Sequence, residues 1–595
     1  MFVESDERQQ TPILPLEILA QIFEYLDDMN DLKNMTLVCK HWLRATQVLN
    51  KVLKSYKLTF RFITIDSTKQ ASLFTNSNRM FSNIYFENVK FSSIDPQFWG
   101  RWSDYITDVT FDYKYRTSGL PGGNFVKFLK YTPRIKTLSL ICSMGLFDTY
   151  FEELTTQDKE IISANLKNVH ELQLYLGDEC LANLKFGTFL EQMTNLKNID
   201  FDVHSKRTPI SYQARHELFN FLRKYGSKIK GLHIDDCSRP LNQLMIGEIF
   251  TVEGMKLKAL DIIINAAATK AFNDFLSIQS DLEYLTVSGP FSVTSTLPQM
   301  KKLKEISMSN GPALDGFKAF NNVEKLESLG IAGLEFYNED GLDETFKMNE
   351  NLKLKELYLI DATIDFGWRF VKRICECYKN IRLLNLDGAL IDDVSLPYLF
   401  KLKKLQELKL SRTQISDRGF SGYVGRRKVK TPNGSAIVIE RPSASISSLT
   451  ELEVLNIDFC KRLGSHSFYR MKLPKLKHFS AAGTHINGIH MQSLQSNCPK
   501  IESLNLSHCK HLRENDILAV MTIKGLDTLE LESCPYIDEL CMEHIMSSPR
   551  LQTLNISKCT FDVKLVAQEM FSRMESLRRI ILSKTRLYRC DYVES

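Results

Sequence analysis

LEVLNI (452–457), LKHFSA (476–481), IESLNL (501–506), LDTLEL (526–531), LQTLNI (551–556) and LRRIIL (577–582) repeat one pattern, with an apolar residue at the first, fourth and sixth positions. Their starts lie 24, 25, 25, 25 and 26 residues apart. Alternation over the last three positions is a strand signal, because neighbouring side chains on a strand point to opposite faces. A strand recurring at so fixed an interval means that each repeat packs on the one before it.

The same pattern runs back through IKTLSL (135–140), VHELQL (169–174), LKNIDF (196–201), IKGLHI (229–234), LKALDI (257–262) and LEYLTV (282–287). It continues through LKEISM (303–308), LESLGI (326–331), LKELYL (354–359), IRLLNL (381–386) and LQELKL (405–410), making 17 copies in all. The pattern and period are those of a leucine-rich repeat solenoid. Each copy supplies a short strand, and the rest of the repeat forms a helix or turn on the outside. Parallel strands stack at about 4.8 Å and helices are wider, so the array is expected to curve into a horseshoe, strands concave and helices convex. Two weaker copies, FSNIYF (81–86) and YITDVTF (105–111), sit in a junction over 51–134, ahead of the solenoid proper at 135–595. The junction around KVLKSYKLTF is poor in Gly, Pro and Ser, which predicts a stiff connection.

The period breaks once. From Leu405 to Leu452 is 47 residues, and the irregular part near 420–448 holds GYVGRRKVKTPNGSAIVIERPSASISS. It reads either as a degenerate repeat with AIVIE as its strand or as a long solvated loop. Its GRRKVK (425–430) suits a nuclear-import signal, an acidic partner or plain solvation, and Thr431 before Pro432 is a weak modification signal.

Seventy-six basic and 71 acidic residues leave a net charge of +5 over 595 residues, too near balance to suggest bulk nucleic-acid affinity. MFVESDERQQ at the start is too polar for a signal peptide, and no apolar run nears the length of a membrane helix. Thirteen scattered cysteines, an odd number, fit a reducing compartment, cytoplasmic or nuclear, rather than a disulfide framework. Phosphate-binding loops, dinucleotide fingerprints, zinc-protease motifs and serine elbows are missing, so the chain is expected to be non-catalytic and to need no cofactor or metal. Cys237, Cys460, Cys509, Cys534 and Cys559 occupy equivalent turn positions in separate repeats. They read as small buried groups serving the turning backbone, not as a metal cluster. Cys375 and Cys377, two apart on a predicted helix, face different directions.

Ahead of the array lies LPLEILAQIFEYL (14–26), with Pro15 in a tolerated first-turn position and Leu16, Leu19, Ile22, Phe23 and Leu26 on one helical face. Leu32, Met35, Leu37, Val38, Trp42 and Leu43 suggest two further short helices. Three helices within 12–50 have little core of their own, so their apolar surface is expected to meet the repeats or a partner.

This segment resembles an F-box, through Leu14-Pro15, Glu17-Ile18-Leu19, Ile22-Phe23, Leu26, Asp31-Leu32, Val38-Cys39 and Trp42. The cysteine placement of the repeats is similar to the cysteine-containing class common in F-box proteins. The resemblance implies an α/β architecture of a three-helix F-box followed by a solenoid. It implies docking to a Skp-type adaptor, and through it to a cullin–RING ligase core, by Leu14, Pro15, Leu16, Ile18, Leu19, Ile22 and Val38. The repeats would then hold a protein substrate for ubiquitination. The other reading is a docked interaction scaffold with no degradative role.

Two stretches of the inner wall are candidate substrate surfaces. Asp200, Asp202, His233, Asp235, Asp236 and Asp261 lie on successive strands and suggest a shared acidic field, with Tyr175 and Ile263 as anchors; a solvated wall is the alternative. Farther on, Tyr358, Asp387, Lys409, Arg412, Asn456, Phe459, Asn505, His508, Glu530, Asn555 and Lys558 mix charge with an aromatic anchor, the composition of protein-recognition surfaces. Tyr358, Arg412, Phe459 and His508 are the leading residues there, and Asp202, Asp235 and Asp236 in the first stretch. No dense arginine cluster stands out.

Overall fold

All 17 copies of the pattern form strands, from Thr137–Ile141 to Arg579–Leu582. Among the described residues three more strands of the same ladder precede them: Lys57–Arg61, Asn83–Glu87 and Asp108–Asp112. The repeat ladder therefore begins within the KLTFR stretch of the junction. The structure is a computed structural model. It describes residues 57–61, 64–65, 81–113, 124–141, 149–176, 188–203, 212–236, 247–264, 268–289, 297–309, 320, 323–333, 335–336, 353–364, 367–422, 426–431, 434–439, 444–464, 467–468, 471–486, 491, 493–559, 569–582 and 585–588. The expected F-box at 12–50 lies outside them.

The chain divides into two compact units, Met1–Gln279 and Ser280–Ser595. In the first, parallel strands run in register from Lys57–Arg61 through Glu171–Leu176, Asn198–Val203 and Gly231–Asp236 to Ala259–Ile263. Its early core is aromatic. Phe86 stacks on Phe60 and Phe111 with ring centroids 5.5 and 5.2 Å apart, and Trp99 meets Phe128 edge-on at 4.7 Å. Such rings bury large apolar area, which suits the first repeats of a stack.

In the second unit the parallel ladder runs from Tyr284–Ser288 to Arg579–Leu582. Leu408, Leu455, Phe479, Leu504, Leu529, Leu554 and Ile580 pair rung to rung and are buried. Fully burying one such side chain is worth about 1.5–3 kcal/mol, so this column is a main source of cohesion. Outer helices cover the other side of the core. Glu539–Met546 buries Cys541, Met542, Ile545 and Met546, and Asp538 caps it by accepting the Cys541 amide at 3.0 Å. Thr585–Tyr588 folds back antiparallel on Arg579–Leu582, giving the last ladder strand a partner.

The period break resolves into neither a repeat nor a plain loop. Arg426–Thr431 and Gly434–Ile439 form an antiparallel hairpin of their own, while Leu408 pairs directly with Leu455 in the ladder. No helix among the described residues is long and apolar enough to cross a membrane.

Candidate functional site

After each strand of the later repeats the chain turns through one left-handed residue. Gly333, Asp361, Gly388, Arg412, Phe459, Gly483, His508, Ser533 and Lys558 all have φ between 52 and 72°. From Gly333 to Ser533 the amide of each donates to the next repeat, as in Arg412 to the Asp458 carbonyl (2.7 Å), Phe459 to Ala482 (2.6 Å) and His508 to Glu532 (2.7 Å). Positive φ is disfavoured for bulky residues. The inter-repeat hydrogen bond and the packed strand before it hold the conformation regardless of side chain.

From Arg412 onward the next residue is a buried Thr413, Cys460, Thr484, Cys509 or Cys534, or the half-buried Cys559. At Thr413 and Thr484 the hydroxyl donates to the Leu410 and Ala481 carbonyls at 2.7 Å. At Cys460, Cys509, Cys534 and Cys559 the thiol contacts the Leu410, Ala481, Leu506 and Leu531 carbonyls at 3.0–3.5 Å. These cysteines stitch one repeat to its predecessor. Burial pushes the Cys509 thiol up to about 11 and Cys534 up to about 12, so neither is a nucleophile at neutral pH. Cys375 is buried and Cys377 half-exposed, and no group of three metal-ligating side chains occurs among the described residues. Cys237 lies outside them.

The expected later wall separates into two rows. The first is on the strands: Tyr358, Asn385, Lys409, Asn456, Ser480, Asn505, Glu530 and Asn555 stand rung to rung. Much of it is engaged in its own repeat. The Asn456, Asn505 and Asn555 side-chain carbonyls accept the amides of Asp458, Ser507 and Ser557 at 2.9–3.1 Å. Asp387, just past this row, accepts the amide of Ser411 in the next repeat at 2.7 Å. The Tyr358 hydroxyl donates to Glu356 at 3.2 Å, and burial, then the Glu356 charge, raises its pKa to about 12.

The second row is the left-handed turn. It carries Arg412, Phe459, His508 and Lys558 and stands apart from Tyr358. Side chains here reach across glycine. Arg412 pairs with Asp361 at 3.1 Å, and a Cβ on the intervening Gly388 would overlap the Asp361 carboxylate. Phe459 and His508 meet with ring centroids 5.7 Å apart, and a Cβ on Gly483 would overlap the Phe459 ring.

In the first unit, Asp200, His233 and Asp261 share one row. The His233 ring lies between the carboxylates, Nδ1 at 2.8 Å from Asp261 and Nε2 at 3.6 Å from Asp200, while the Tyr175 hydroxyl donates to Asp200 at 3.4 Å. The half-exposed Ile263 lies on the neighbouring strand. Asp202 pairs with Asp235 and Val203 with Asp236, so the three acids span two neighbouring register rows.

A cavity of 510 Å³ opens beside the turn row, lined by Arg412, Thr413, Gln414, Phe459, Lys461 and Arg462. Phe459 is 42% exposed. Three cations, Arg412, Lys461 and Arg462, meet at this opening. Arg412 and the pair Lys461–Arg462 are about two ordinary periods apart in sequence, separated by the hairpin insertion, yet belong to adjacent rungs.

Residues 11–49 match the F-box-like family model. The chain joins an F-box-like segment to a leucine-rich repeat array. The seven residues Leu14, Pro15, Leu16, Ile18, Leu19, Ile22 and Val38 fall inside that match and outside the described residues. No curated protein sequence matches the chain. Among solved structures, it is similar to a chain of the yeast Rad7–Elc1 complex, at 16% identity over 70% of this chain and 89% of that one, TM-score 0.34. It is similar to an internalin of Listeria monocytogenes, at 14% identity over 68% and 89%, TM-score 0.31. A chain of the latrophilin 3, Unc5D and FLRT2 complex matches at 15% identity over 51% and 84%, TM-score 0.30.

Lys461, Arg462 and Gln414 were not singled out by sequence reasoning. The available signal was their offset from the strand: each follows its repeat's left-handed position by two or three residues.

Proposed function

We propose that this chain is the substrate-recognition adaptor of an SCF-type ubiquitin ligase. The observation that carries the reading is the F-box-like match at 11–49 immediately ahead of a repeat ladder that begins at Lys57. The F-box-like segment docks a Skp-type adaptor through Leu14, Pro15, Leu16, Ile18, Leu19, Ile22 and Val38. The repeats hold a protein substrate, with Phe459, Arg412 and His508 as contact residues on the turn row, Tyr358 on the strand row, and Asp202, Asp235 and Asp236 on the earlier strands. The chain performs no chemistry itself. It raises the local concentration of substrate lysines near a ubiquitin thioester carried by another subunit.

The test is affinity capture of the intact chain beside a Leu14→Ala, Pro15→Ala, Ile18→Ala variant, with mass spectrometry of bound proteins. Loss of adaptor and cullin from the variant alone, with other partners kept, supports the reading. Absence of both from the intact capture overturns it and leaves an interaction scaffold.

A further inference from the structure

We infer that the cavity beside Phe459 is the docking site for an acidic peptide segment, one with aspartate and glutamate side chains flanking an aromatic or aliphatic residue. The inference rests on the repeat array being a protein-recognition surface, and it assigns the chemistry that this surface takes.

The six lining residues include three cations and no carboxylate. Arg412 is partly satisfied by Asp361. Lys461 and Arg462 are exposed, and among the described residues neither shows an ion pair. Three positive charges around one opening attract anions and repel cationic segments, which is selection by charge. A wholly anionic small ligand would leave Phe459 unused. An aromatic side chain beside cations suits a ligand that alternates apolar and acidic groups.

The site is also held in place. Phe459 is pinned by the hydrogen bond its N–H donates to the Ala482 carbonyl (2.6 Å) and by its ring against His508. Arg462 is paired by a parallel bridge to Ser416, and the following residue, Leu463, donates to the Cys460 carbonyl at 3.0 Å. Backbone fixed before binding costs less ordering when a partner arrives. A volume of 510 Å³ lies within the range of about 300–1,000 Å³ typical of ligand pockets. It accepts a few side chains, not a folded domain.

The probe is a fluorescein-labelled heptapeptide with one phenylalanine flanked by aspartates and glutamates, titrated with the full chain and read by anisotropy. Its control replaces the acids by asparagine and glutamine. Saturable binding of the acidic probe is expected, weakened at least about tenfold by Lys461→Glu with Arg462→Glu, weakened less by Phe459→Ala, and unchanged by Arg578→Glu at an exposed site on the last ladder strand's approach. If the charge reversal disturbs folding by circular dichroism, Lys461→Gln with Arg462→Gln takes its place, with a smaller loss expected. Equal binding of the neutral peptide, or equal binding by the variants and the parent, overturns the inference, as does no saturable binding by the parent. Adaptor capture from the same preparations is read separately: retained adaptor with no acidic-peptide binding defeats this site alone, and peptide binding without adaptor defeats the ligase reading alone.

Discussion

The rings of Phe459 and His508, two repeats apart, meet at 5.7 Å across Gly483. Gly483 has φ of 65°, and a side chain there would overlap Phe459. Both terms oppose substitution.

Gly483→Ala should cost about 1–3 kcal/mol, combining left-handed strain with displacement of the ring. Urea unfolding checks it. In a Phe459→Ala background the cost should fall but not vanish, since the backbone term remains. An unchanged cost would remove the ring from the explanation.

Cys534 tests whether the buried thiols serve as turn donors. Its sulfur lies 3.3 Å from the Leu506 carbonyl of the preceding repeat, whereas Thr413 and Thr484, at the same turn position, give their hydroxyls to Leu410 and Ala481 of their own repeats. Cys534→Ala should lose about 1 kcal/mol. In native protein at mildly alkaline pH, Cys534 should resist alkylation, because burial holds its thiol at about 12. Peptide mapping after brief iodoacetamide treatment reads this directly, and rapid modification would contradict the buried position.

Asp417 ties the repeat before the insertion to the repeat after it. Its carboxylate accepts the Gly464 amide at 2.8 Å and the Ser467 amide at 3.2 Å, together with the Ser467 hydroxyl. Asp417→Ala strands these donors and should cost about 1–3 kcal/mol. Protease nicking near 464–467 should rise with it. A change confined to global stability, with no local nicking, would mean that the bonds do not hold this turn.

Glu530 gives a pH signature. Burial, then the charges of Asp458 and Glu532, hold its carboxyl above the usual carboxylate range. A folded value above the unfolded one favours folding below the unfolded value, and that contribution is lost as pH rises through the folded value. Glu530→Gln should therefore raise the thermal midpoint at about pH 7 and lose that advantage at about pH 4. An equal shift at both would exclude the charge as cause.

Much of the ladder was legible because core leucines recur at a fixed interval, and that interval has one structural solution. The cysteines' structural part was legible too, from their matched place after each strand. What the pattern did not carry was the division of the later wall. Phe459 and Asn456 are three residues apart and look alike as exposed positions, yet one sits in a left-handed turn and the other on a strand. Backbone handedness decides between them, and leucine spacing is blind to it. The cavity was hidden for a different reason: Arg412 and Arg462 become neighbours only once the hairpin between them is set aside.

That hairpin has a consequence of its own. Leu410 donates to Asn456 at 2.8 Å and Arg412 to Asp458 at 2.7 Å, so the two flanking rungs are joined as if the intervening chain were not there. The hairpin of Arg426–Thr431 and Gly434–Ile439 pairs with itself and takes no place in the ladder's register. The array carries at this point a natural port, where a descendant can acquire a new module while its architecture stays as inherited.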